Sequence, residues 1–136
     1  MAEELDIAHR VMELPERIPY LEVQQLLRNV HGCMVIGSPE PHYSASKVFQ
    51  SILSGRPIFS LLHKDSEAID IIESCECGAF SVGYTPDQDI HDALESALQR
   101  FWACNDWAPD TAALEPHSAS NAAATLAEAF NQCLAS

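Results

Sequence analysis

At 136 residues, 47% hydrophobic and 20% charged, the chain reads as one soluble globular domain, residues 1–136, long enough to bury a core. Its net charge of −13, from 20 acidic and 7 basic residues, speaks against a nucleic-acid groove, which needs clustered Lys and Arg. A small anion remains compatible with that charge, because one helix N-terminus and one Lys hold a phosphate locally.

Residues 1–9 are weakly patterned and read as a frayed arm. The opening MAEELDIAHR is acidic and lacks the apolar core of a signal peptide, so a cytoplasmic location is expected. The longest apolar runs are four or five residues, too short for a transmembrane segment. Arg10 to Leu14 reads as a short strand and Pro15 to Pro19 as a turn. Tyr20 to Val30 carries Val23, Leu26, Leu27 and Val30 at helical spacing, with Gly32 as the stop.

Cys33 to Ile36 is apolar throughout, as a strand buried on both faces of a parallel sheet would be. A polar, proline-bearing loop follows from Ser38 to Tyr43. A helix is then expected from Ser44, as N-cap, to Ser54, with Val48, Phe49, Ile52 and Leu53 inward and Gly55 closing it. Ile58 to Leu62 is the next buried strand, and His63 and Lys64 lie at its carboxyl end. Asp65 or Ser66 caps a helix to about Ser74, with Ala68, Ile69 and Ile72 inward. Ala79 to Val82 reads as a further strand. Thr85-Pro86-Asp87-Gln88 has the composition of a helix start, and the stripe Ile90, Ala93, Leu94, Ala97, Leu98, Phe101 continues from it. The chain is irregular from Ala103 to His117, and a last helix is expected over 118–134 with Leu126, Phe130 and Leu134.

Strands alternating with helices in this rhythm give an α/β fold: a parallel, Rossmann-like sheet of about four strands flanked by helices. In such sheets a ligand sits where a loop leaves the carboxyl end of a strand and enters a helix. The five cysteines, an odd number, do not make a disulfide framework. Cys75-Glu76-Cys77 lacks the two-residue spacer of zinc and redox sites, and the six histidines lack metal spacing. No metal and no cofactor are expected.

The run Ser46-Lys47-Val48-Phe49-Gln50-Ser51-Ile52-Leu53-Ser54-Gly55-Arg56-Pro57-Ile58 resembles a motif of two-domain, nucleotide-sugar-dependent glycosyltransferases. The likeness is to the carboxy-terminal, donor-binding domain of the GT-B fold, family 4-like, where a segment of the type S-K-x-x-E-x-x-x-x-G-x-P-I follows a strand and loop. Arg17-Ile18-Pro19-Tyr20, Gly78-Ala79-Phe80 and the closing helix resemble the flanking parts of that domain, so the likeness runs from about Arg10 onward. It implies that the groups around Ser44 to Ser46, with Lys47, face a pyrophosphate, and that Gln50 stands where the family has a ribose-binding Glu. His42 stands where many members have a second acid, eight positions earlier. With Tyr43 in the loop and His63 at the next strand end, the implied ligand-binding set is His42, Tyr43, Ser44, Ser46, Lys47, Gln50 and His63; no catalytic residue is assigned.

Against the family, this chain begins after the acceptor domain and after two strand–helix units of the donor domain, so a truncated domain is expected. In the family's sheet order, 3-2-1-4-5-6, the strand matching Cys33–Ile36 loses its neighbour. An open apolar edge is an aggregation hazard, so Arg10–Leu14, a second copy or an acceptor-domain partner is expected beside it. The resemblance implies a donor-domain fragment that binds a nucleoside diphosphate or nucleotide-sugar and does not turn over alone. Two alternatives stand beside it: an oligomerising structural protein with a decayed site, and a small enzyme using His42, His63 and Asp65 as acid–base groups.

Overall fold

The computed structural model of the chain describes residues 2–42 and 46–135. Three parallel strands, β1 (Cys33–Ile36), β2 (Ile58–His63) and β3 (Ser81–Tyr84), lie in the order β1-β2-β3. Cys33 stands opposite Ile58, and Ser60 opposite Ser81. The helices are α1 (Tyr20–Asn29), α2 (Lys47–Leu53), α3 (Glu67–Ser74), α4 (His91–Ala103) and α5 (Ala119–Ala135). The α/β class and the parallel sheet follow the sequence, but among the described residues the strands number three rather than about four. Arg10–Leu14 is not a strand. Ala8–Arg10 is a 3-10 turn, and Val11 to Leu14 runs exposed without regular structure.

The core lies on both faces of the sheet. Val48 and Ile52 of α2 and Ala68 and Ile72 of α3 pack with Val35, Ile58 and Leu62 on one face. Ala97 and Phe101 of α4 pack with Phe59, Phe80 and Val82 on the other. Burying large apolar side chains such as these stabilises by roughly 1.5–3 kcal/mol each. Ser60, fully buried in the middle strand, donates its hydroxyl to Ser81 Oγ at 2.7 Å.

Local signals explain most element ends. Ser66 accepts the Ala68 N–H and caps α3 as expected. Gly55, at φ +70°, takes the left-handed position that closes α2, a conformation open to glycine at no steric cost. At the end of α3, Cys77 N–H bonds Ile72 O at 2.9 Å and Glu76 N–H bonds Glu73 O at 2.9 Å, with Glu76 at φ 58°. This is the paired closing pattern of a helix C-terminus, and its usual apolar contact is made here by Cys77 and Ile72, both buried. Burial, first, and the neighbouring Cys75 and Glu76 push the Cys77 thiol up to about 12, so it stays protonated and unreactive at neutral pH. Cys33, Cys75, Cys77 and Cys104 form no disulfide.

Two boundaries differ from the sequence pattern. Gly78–Phe80 is a 3-10 turn, which delays β3 to Ser81. Thr85–Gln88 is a turn, Gln88 N–H to Thr85 O at 3.0 Å, and not a helix start. The helix opens at His91, whose N–H bonds the carboxylate of Asp89, the residue before the N-cap position, at 3.0 Å. Residues Thr111–His117, expected to be irregular, form a 3-10 helix. Every described side chain of α5 is exposed, including Leu126, Phe130 and Leu134, and its packing is against that 3-10 segment. Among the described residues no helix is long and apolar enough to cross a membrane.

Candidate ligand groove

The parallel ladder decides which side of β1 is open. Cys33 N–H bonds Pro57 O at 2.8 Å and Gly37 N–H bonds Leu61 O at 2.9 Å. Alternate residues therefore bond to β2, and the backbone groups of Met34 and Ile36 point away from the sheet. Cys33 and Val35 are buried, while Met34 and Ile36 are 56% and 65% exposed. Among the described residues nothing pairs with this edge.

α1 packs against α2 beside that edge and buries none of its side chains. Part of its apolar stripe looks onto a groove of about 600 Å³. Tyr20, Val23, Leu27 and Val30 form one wall; Gly32, Cys33 and Met34 of the edge form the floor. Lys47, Gln50 and Ser51 of α2 form the opposite wall, because residues three and four apart share a helix face. Arg17 and Ile18, before α1, complete the lining. Among the described residues the lining carries two cations, Arg17 and Lys47, and no Asp, Glu or His.

Of the seven residues implied by resemblance, Lys47 and Gln50 meet on this groove. His42 and Ser46 are exposed and outside its lining. Tyr43 and Ser44 lie outside the described residues, so the expected Ser44 cap does too; the described helix starts at Lys47, and Ser46 before it makes no side-chain cap bond. His63 stands apart. It is buried at the end of β2, its Nδ1 accepts the Asp65 N–H at 3.2 Å, and its ring meets Tyr84 edge-on at 6.4 Å. That bond leaves Nδ1 as an acceptor, so the ring is held as part of the β2–α3 turn. Arg17 belongs to the groove, though the resemblance marks it only within the flanking Arg17-Ile18-Pro19-Tyr20. Its one sequence signal was a cation three residues before a helix in a chain poor in cations.

A second hollow of about 240 Å³ lies by His31, Arg56, Asn105 and Trp107. Its guanidinium is already engaged: Arg56 donates from Nε to Arg28 O at 2.8 Å, and from Nη2 to the same oxygen. Among the described residues no group of His, Cys, Asp and Glu has the arrangement to hold a metal ion. Compared with family models, curated proteins and solved structures, the chain matches none.

Proposed function

We propose that the chain is a donor-side binding module of the glycosyltransferase type, holding a nucleoside diphosphate or nucleotide-sugar along the α1–β1–α2 groove. One observation carries this reading. In a chain with 20 acidic and 7 basic residues, the groove collects Arg17 and Lys47 and, among the described residues, no carboxylate. Two cations suit a diphosphate, the Gln50 amide suits ribose hydroxyls, and the apolar wall with Tyr20 suits the flat base. The same lining has no carboxylate or imidazole that could take a proton from an acceptor hydroxyl. Turnover therefore needs a partner that supplies the acceptor side.

Calorimetry with UDP and GDP tests this. Weak binding is expected, with a Kd of about 10 μM to 1 mM. Lys47→Ala should weaken it about tenfold or more, the loss of a charge-assisted bond of about 1.5–3 kcal/mol. Gln50→Glu should strengthen it by restoring a charged acceptor. No heat at millimolar nucleotide would overturn the reading.

The unpaired β1 edge favours a second reading, an interaction protein that assembles through this side. Oligomers that persist at high salt, with no nucleotide affinity, would select it.

A further inference from the structure

We infer that two copies of this chain exchange their N-terminal arms, each placing Val11–Leu14 as an added strand on the other's β1, beneath the partner's α1. This develops the assembly reading in place of the nucleotide one, because the added strand would occupy the same α1–β1–α2 groove.

The receiving surface is shaped for one extended strand. Met34 and Ile36 offer outward backbone groups over the length of β1, and their side chains are the exposed apolar ones at that edge. α1 stands over the vacant position with Tyr20, Val23, Leu27 and Val30 turned toward it. A strand inserted there satisfies the ladder and buries both apolar surfaces at once. The strand itself carries no protecting side chain, since Cys33–Ile36 contains no Lys, no Pro and no inward charge.

The arm has the matching chemistry. Val11 to Leu14 is exposed and free of regular structure, with Met12 85% and Leu14 59% exposed. In an extended strand Met12 and Leu14 share one side and Val11 and Glu13 the other. With Met12 and Leu14 packed on Met34 and Ile36, Glu13 turns to the side of α1 and α2, where Arg17 and Lys47 lie. The arm is also the acidic counterpart of that groove: residues 2–14 carry Glu3, Glu4, Asp6 and Glu13 against Arg10 alone. Pro15 lacks an N–H and would end the added strand.

Exchange is favoured over folding back by the link. The start of the arm is tied to itself, Asp6 N–H to Glu3 O and Ile7 N–H to Ala2 O, and no arm residue lines its own groove. Five residues, 15–19, join it to α1 with Pro15 and Pro19 at their two ends, and Pro19 is extended at φ −56°, ψ 144°. A short, stiff hinge carrying a strand outward is the setting in which two copies swap. The exchange is reciprocal, so it closes as a two-fold dimer.

Light scattering on the full chain, at tens of micromolar and without nucleotide, tests the exchange separately from the nucleotide site. A dimer is expected. Ile36→Lys, at an exposed edge position outside the groove lining, should weaken it at least tenfold, as should Met12→Asp with Leu14→Asp. Hydrogen exchange should show the Met34 and Ile36 amides protected in the dimer and released in both variants. A dimer indifferent to the arm substitutions would overturn arm exchange while leaving assembly standing. A monomer overturns the inference whatever its amides do: protected edge amides would mean an arm folded onto its own β1, and freely exchanging ones an empty edge.

Discussion

Phe101→Ala should lower the stability of the domain by about 3–5 kcal/mol, the cost of removing a buried aromatic ring from a packed core. Phe101 is 3% exposed and stands at the centre of an aromatic group. Its ring lies 6.0 Å from Phe59, 5.8 Å from Phe80 and 6.1 Å from His31, centre to centre. It therefore joins β2, the turn before β3 and the residues leading into β1 to one point on α4. Domains of this kind have only about 5–15 kcal/mol in total, so the variant loses a large fraction of it. Urea unfolding followed by circular dichroism measures the loss. A change below about 1.5 kcal/mol would mean that the neighbouring rings close the hole, and that the α4 face is less tightly packed than its geometry shows.

Gly32→Ala is the second large effect, and it acts through the same ring. A methyl group at Gly32 would stand 2.4 Å from Phe101 Cζ and 2.9 Å from the Pro57 carbonyl oxygen. Neither gives way easily. The ring is held by Phe59 and Phe80, and the carbonyl already accepts the Cys33 N–H, the bond that starts the β1–β2 ladder. Overpacking of this kind costs about 1–3 kcal/mol. The double variant Gly32→Ala with Phe101→Ala should cost clearly less than the two single losses added, because the alanine at 101 makes room for the new methyl. Strict additivity in that cycle would show that the methyl is accommodated by backbone movement at β1 instead.

Glycine at 32 was legible in the sequence only as a helix stop. Its second role, letting β1 approach α4, depends on a residue far along the chain, and no local pattern carries that. The same division runs through the rest of the fold. Cys33–Ile36 and Ile58–Leu62 are short, unbroken apolar runs, and a strand buried in a parallel sheet is the economical reading of each. Ser66 and Gly55 act within a few residues of themselves, so their caps were legible too. Arg10–Leu14 has a strand's composition but no strand beside it, and pairing is what makes a strand. The stripe of α1 has a core helix's spacing, yet the sheet ends before it can cover that stripe. Periodicity reports which face of a helix is apolar and leaves open what lies opposite.

The candidate site divides similarly. Lys47 and Gln50 sit three apart on one helix, so their meeting on a common wall could be read from spacing. His63 belongs to another strand end, and its nitrogen is taken by the turn that follows it. Arg17 joins the groove through the angle at which α1 leaves the sheet, which no spacing rule supplies.

The exposed α5 has a consequence for how the molecule comes apart. A helix that buries nothing draws little stability from the body, and 17 residues are near the lower limit at which an alanine-rich helix holds itself together in water. Its amides should exchange with solvent orders of magnitude faster than those of β2, and brief protease treatment should trim it from about Ser118 while the sheet survives. Heating should then give a shallow loss of helical signal before the cooperative transition of the core. The chain behaves as two units of unequal cohesion, and a single melting temperature would describe only the larger one.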